Sequence, residues 1–356
     1  MPRPTVHRLP FGTAPGGTAV DLWRLDSGTG VHAEILTYGG ILHRLVVPDT
    51  RGRAASVVLS LPTLDQYAEK SRYLGALVGR YANRIAHGRF TLDGTEHRIP
   101  VNDRGHALHG GPDGFDRRVW HAEPAREDGC AALRLTLHSP DGDMGFPGAL
   151  DVTATYRLDG AGTLALDWSA ATDRPTVVNL TNHAYFNLAE GPDILGHDLA
   201  VDADAYLPVD TAGIPAGGPQ PVAGTAFDLT AARSVGVALA RPDRQLREAG
   251  GLDHCWVLRP SPGRHTPRRA ARLTAPGGLR TLEVWTTEPG LQVYTGNQLD
   301  GSLVGPGGRV YGRHAAVCLE TQHFPDAPNR PDFPATVLRP GEVLASRTEY
   351  RFPHLS

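Results

Sequence analysis

Cysteine and methionine are scarce, three and two in 356 residues. Cys130, Cys255 and Cys318 are odd in number and show no Cys-x-x-Cys spacing, which excludes a disulfide framework and a cysteine-based zinc site. Cys318 falls inside an apolar run, the setting of a buried, reduced thiol, and a reducing cytoplasm is the expected location. No apolar stretch approaches the ~20 residues of a membrane span. The opening MPRPTVHRLPFGTAPGG has no apolar signal core, so export is not expected. Charge of one sign is also missing: 35 Lys and Arg balance 38 Asp and Glu, a formal net charge of −3. Nucleic acid or an anionic membrane would demand a concentrated basic face, so neither is an expected partner. The sequence has no GxSxG elbow, no P-loop, no GxGxxG after a strand and no HExxH helix. Acyl-transfer, phosphate and dinucleotide chemistries therefore lack their usual signatures.

Glycine and proline, in contrast, are abundant at 42 and 30 residues, and they cut the chain into short pieces. Most pieces alternate with period two, as successive side chains of an extended chain do. Arg134, Thr136 and His138 interleave with Leu133, Leu135 and Leu137. Leu150, Val152, Ala154, Tyr156 and Leu158 interleave with Asp151, Thr153, Thr155 and Arg157. Leu164, Leu166 and Trp168 continue the rule, as do 282–286, 291–295 and 343–352. Asp93-Gly94, Asp141-Gly142 and Asp159-Gly160 are favoured tight-turn dipeptides. Many short strands between turn signals predict an all-β fold, a large antiparallel β-sandwich or barrel. Helix is limited to a few turns at 62–71 and 230–240. No repeat or long linker divides the chain, so one domain spanning 1–356 is expected. The basic, Pro-rich stretch 259–269 reads as an exposed loop.

Two segments set polar rows against apolar ones. In TVVNLTNHAYFNL, Asn179, Thr181, His183, Tyr185 and Asn187 share one parity, while Val178, Leu180, Ala184, Phe186 and Leu188 share the other. In AAVCLETQHFPDAPN, Glu320 and Gln322 oppose Val317, Leu319 and Thr321. An imidazole and a carboxylate carried on strands are the parts for paired acid and base chemistry. Arg80, Asn83 and Arg84, among glycines and apolar residues, suit hydroxyl oxygens. Asp253 precedes Trp256, and Gln292 and Tyr294 share a strand face. Aromatic rings beside amides and carboxylates are the usual sugar-binding mixture. His106 and His109 form the nearest approach to a metal pair. A zinc site needs three or four ligands, and no third stands at recognisable spacing, so no metal or cofactor is expected.

Ten segments, in order, resemble the aldose 1-epimerase (galactose mutarotase) family. They are GRYANRIAHGRF, ALHGGPDGFDRRVW, SPDGDMGFPGAL, NLTNHAYFNL, YLPVD, GTAFDL, GLDHCW, QVYTGNQLDG, LETQHFPDAPN and LRPGE. The resemblance implies a large β-sandwich, called a supersandwich, with a cleft on one sheet. It also implies cofactor-free interconversion of the α and β anomers of free aldohexoses such as galactose and glucose. By position, Glu320 matches the family's catalytic base and His183 its proton donor. Arg84, His109, Asp253 and Gln292 match sugar-binding positions, and Asn83 and Tyr185 sit beside such positions. A small sugar is the expected partner and the chain is expected to be a monomer or weak homodimer. These roles call for an ionised Glu320 and a protonated His183, with pKa values below and above working pH. Two alternatives remain. One is a hexose-6-phosphate 1-epimerase, for which Arg80 and Arg84 would gather phosphate; the other is a non-catalytic sugar-binding module. A glycoside hydrolase would normally use two carboxylates.

Overall fold

The computed structural model describes residues 3–71, 73–261, 263 and 265–355. The alternating segments become strands, and two sheets carry the architecture. A nine-stranded antiparallel sheet runs in the order His121–Ala125, Cys130–Ser139, Leu150–Asp159, Leu164–Thr172, Leu344–Arg351, Thr281–Thr286, Arg268–Thr274, Asp198–Val201, Arg233–Ser234. A six-stranded sheet runs Tyr185–Phe186, Val317–Gln322, Gly290–Tyr294, Asp253–Leu258, Ala203–Leu207, Gln220–Pro221. An N-terminal sheet of five strands joins consecutive segments from Thr5 to Ser56. The large antiparallel β-sandwich expected from the alternation is present.

Parity explains how the layers meet. Leu133, Leu135, Val152, Ala154, Leu166 and Trp168 of the larger sheet bury in one cluster with Trp256, Leu291, Val293, Val317 and Leu319 of the smaller. Each side chain of that size contributes roughly 1.5–3 kcal/mol on leaving water. The core uses one face of the six-stranded sheet and leaves the other for polar residues. Trp256 belongs to the core face, its indole N–H donating to the Phe227 carbonyl at 3.1 Å, and so it is not part of a sugar platform.

Local signals are realised closely. Asp93 and Gly94 take φ of 48° and 82° and join Arg89–Leu92 to Thr95–Arg98 with Leu92 opposite Thr95, a two-residue hairpin turn that needs positive φ twice. Helices cover Leu64–Lys70, Val235–Leu239 and Arg244–Ala249. The third was not foreseen; it is six residues long, opened by the Asp243 carboxylate accepting from the Gln245 and Leu246 N–H groups. In the 259–269 stretch, positions 262 and 264 lie outside the described residues. Its end is not loop: Arg268 and Arg269 begin a strand, and Arg269 pairs with Asp202 at 2.8 Å. Among the described residues no helix is long and apolar enough to cross a membrane.

The segment carrying His183 is not one strand. Thr176–Val177, Thr181–Asn182 and Tyr185–Phe186 pair with three different partners. The chain migrates from one neighbour to the next, so no single ladder can form. His183 lies between two of these pairings. Its N–H donates to the Ala76 carbonyl and its carbonyl accepts from the Gly75 N–H, both at 2.9 Å.

Candidate active site

The free face of the six-stranded sheet assembles the site by register. Cys255 opposes Gln292, which opposes Glu320. Asp253 opposes Tyr294, Tyr294 opposes Cys318, and Cys318 opposes Tyr185. Opposed residues project to the same side, so these seven share the side of the sheet that faces away from the main core. Above it lies a cavity of about 280 Å³ that includes Glu320, His183, Arg84, Asn83, His109, Tyr185 and Asp253 in its lining. That is the small end of ligand sites, which run to ~300–1,000 Å³ for drug-sized molecules.

His183 Nε2 and Glu320 Oε1 lie 3.7 Å apart, both side chains buried. Among the described residues His183 Nδ1 and Glu320 Oε2 have no hydrogen-bond partner, and a buried polar atom left so calls for a ligand or a chemical role. Arg84 directs both Nε, at 3.0 Å, and Nη2, at 2.9 Å, onto the same oxygen of Asp103. Gly213, at φ +86°, packs against that guanidinium; a Cβ there would stand 2.9 Å from Arg84 Cζ.

Asn83 and His109 hold each other. The His109 N–H donates to the Asn83 carbonyl at 3.0 Å, and the Asn83 N–H donates to His109 Nδ1 at 3.1 Å. Both residues have left-handed backbones, φ 61° and 52°, a conformation that costs about 1 kcal/mol or more outside glycine and clusters at functional sites. The bond into Nδ1 fixes the neutral ring's proton on Nε2. Although His109, His183 and Glu320 present donor atoms within 4.8 Å of one another, His109 therefore offers an N–H there, suited to a sugar oxygen and not to a metal ion. His106 points elsewhere, its Nδ1 accepting from the His87 N–H at 2.9 Å.

Burial works against the charge states that the two roles call for. Burial, reinforced by Asp253 and opposed by Arg84, pushes the Glu320 carboxyl well above the usual carboxylate range. Burial lowers the His183 imidazole to about 4, against the pull of Asp253, and holds His109 far below its ordinary value, with His183 and Arg84 adding to the effect. Both shifts favour the uncharged forms, a carboxylic acid beside a neutral imidazole. At 3.7 Å no hydrogen bond ties the two groups, and burial disfavours the charged form of each. The proton count is unchanged: an acid beside a neutral imidazole holds one proton, as a carboxylate beside an imidazolium does.

Gln292 stands behind the cavity wall, its Nε2 donating to Asp253 Oδ1 at 2.8 Å; it braces a sugar-facing group and does not line the cavity. Arg80 is remote from the site. Its guanidinium is buried against Ser139, Pro140, Pro147 and Gly148, so it cannot gather phosphate with Arg84. Asn179 and Asn187 share parity with His183 yet bond backbone: Asn179 to Ala82 and His323, Asn187 to Ala315. The wall also contains Tyr73, Asp103 and Gln298 from loops and Asp116 and Arg117 from a single 3-10 turn, residues that strand alternation cannot reveal.

Residues 21–351 match the family described as Aldose 1-epimerase. The chain belongs to the aldose 1-epimerase family. It is 45% identical to galactose mutarotase of Rattus norvegicus over 351 residues, 98% of each chain. It is 43% identical to that of Homo sapiens with the same coverage. Aldose 1-epimerase of Escherichia coli K12 is 37% identical, covering 95% of this chain and 97% of the other. Among solved structures, galactose 1-epimerase from Lactobacillus acidophilus superposes with a TM-score of 0.86 at 31% identity, covering 98% of each chain. As a member of this family the chain is an isomerase.

Proposed function

We propose that the chain is an aldose 1-epimerase acting on free aldohexoses such as galactose and glucose, with Glu320 and His183 carrying its two proton transfers. The observation that carries the reading is this buried pair, 3.7 Å apart, at the wall of a cavity sized for one sugar ring. The galactose named for several relatives supports that sugar as a substrate.

Anomer exchange needs a proton removed from the C1 hydroxyl and one delivered to O5 as the C1–O5 bond breaks and C1=O1 forms. Rotation about C1–C2 presents the other carbonyl face, and closure reverses both transfers. Sugar hydroxyls entering the cleft donate hydrogen bonds to the ionised form of Glu320, which lowers its proton affinity. The shared proton then passes to His183, leaving Glu320 as base toward O1 and His183 as acid toward O5. Each positioned group contributes roughly 10²–10⁴ in rate. The His109 N–H and Arg84 steady the developing oxyanion. Asp253, held by Gln292, fixes a remote hydroxyl and with it the reacting geometry.

Polarimetry of freshly dissolved α-glucose and α-galactose tests the reading, with glucose 6-phosphate run alongside. The expected result is faster mutarotation of the free sugars and no preference for the phosphate, because Arg80 is unavailable. A marked preference for the phosphate supports the 6-phosphate epimerase. Sugar binding without acceleration supports a binding module.

A further inference from the structure

His183 sits in a box of rings. Tyr73 stacks on one side, 5.8 Å between centroids and 25° between planes. Tyr185 stacks at 5.0 Å and 24°. His109 meets it edge-on at 5.2 Å and 77°, and Tyr294 at 6.4 Å and 72°. Glu320 and Asp253 are the carboxyl groups acting on this imidazole, Glu320 from 3.7 Å; His109 is held neutral.

An aromatic face attracts a cation lying within ~6 Å of its centroid, most strongly where water is excluded. Both stacked rings meet that distance, so the box favours the protonated ring over the neutral one. This is the state that burial opposes and that proton delivery to O5 requires. Tyr73 is placed there deliberately by the backbone. Its φ is +62°, an uncommon conformation for a bulky residue. The turn is fixed by the Ala76 N–H donating to the Tyr73 carbonyl at 3.0 Å and the Leu74 N–H donating to Ser71 Oγ at 3.1 Å.

We propose that Tyr73 is a positioning residue whose ring face, with that of Tyr185, holds His183 in its proton-carrying form during turnover. The inference rests on the acid role given to His183 above. It concerns the ring and not the phenol hydroxyl, and the split between kcat and KM separates it from a sugar-binding role.

Steady-state kinetics of Tyr73→Leu and Tyr73→Phe test it, together with ring ¹⁵N spectra of His183 in the galactose complex, identified by their loss in His183→Asn. Tyr73→Leu is expected to lower kcat about 3- to 10-fold, the size of one buried cation–ring contact, with KM within about twofold. Its ¹⁵N shifts should move toward the neutral-imidazole position. Tyr73→Phe should recover most of both losses. Should Tyr73→Leu fail to fold by circular dichroism, Tyr73→Met removes the same face. An unchanged kcat, a rise in KM alone, unmoved ¹⁵N shifts, or a Phe variant as impaired as Leu each overturns the inference. A wild-type protein that leaves mutarotation unaccelerated removes the functional reading instead, so the two failures are distinguishable.

Discussion

Gln292 stands directly opposite Glu320 in the strand register, yet its amide is engaged by Asp253 at 2.8 Å. The strand pairing thus holds a sugar-facing carboxylate through a residue that does not line the cavity. Loss of the amide frees the Asp253 carboxylate to rotate away from the sugar. Gln292→Ala is expected to raise KM for galactose about tenfold and to change kcat less, as removal of a positioning hydrogen bond does. Initial-rate kinetics check it; an unchanged KM would show that Asp253 keeps its orientation alone.

Glu320 is a group whose function costs stability. Its folded pKa is raised above the unfolded value of about 4.5, so the folded state binds the proton more tightly. Stability from this group is present at low pH and is lost as pH rises through its unfolded and then its folded pKa. Glu320→Gln removes the cost with little change in shape. Its Tm at neutral pH should equal or exceed wild type, with the difference shrinking as pH falls toward 4.5. Calorimetry at several pH values reads this directly.

Several buried histidines act in the opposite sense with falling pH. Burial lowers His43, with Arg44 adding to the effect, and His254 to about 4 each. Such groups take up protons in the unfolded chain near pH 6.5 and in the folded chain only near 4. Their stabilisation is complete above 6.5 and is lost as pH falls toward 4, on the order of 1–2 kcal/mol per histidine by pH 5. His254 packs 4.6 Å from Phe227 on the core side of its strand. The Tm is expected to drop between pH 7 and 5, and His254→Leu should flatten part of that slope. A wild-type Tm independent of pH over this range would contradict the assignment.

Arg80 is a structural cation. It donates to Ser139 Oγ at 2.6 Å and to the carbonyls of Ser139, Pro140, Pro147 and Gly148 at 2.7–3.1 Å. Removing it strands several buried acceptors, each worth about 1–3 kcal/mol. Arg80→Met should lower stability by roughly 3 kcal/mol or more in denaturant titration, while the folded fraction keeps its KM for galactose. A changed KM at unchanged stability would return Arg80 to the site.

The contrast between Arg80 and Glu320 shows what the sequence discloses. Alternation set Glu320, Tyr185 and Tyr294 each on the polar side of its own segment, because a strand repeats every two residues, and the register brings them together with Asp253. It misassigned Asn179 and Asn187, which share parity with His183, because that segment changes partners every few residues and periodicity does not report where a ladder ends. Arg80 and Arg84 are four residues apart in similar surroundings, yet one is buried in backbone carbonyls and the other faces the cavity. Only the path of the 139–148 segment decides this. Tyr73, Asp103 and Gln298 come from loops, where no period exists. The direction in which burial shifts His183 and Glu320 was equally beyond reach, since burial is a property of the whole fold.

The central claim is that Glu320 and His183 move the two protons, and polarimetry of α-galactose with wild type, Glu320→Gln and His183→Asn measures it most directly. Wild type should speed the approach to rotational equilibrium, and each variant, still folded by circular dichroism, should lose roughly 10²–10⁴ of that acceleration. Wild-type rates in both folded variants would contradict the claim.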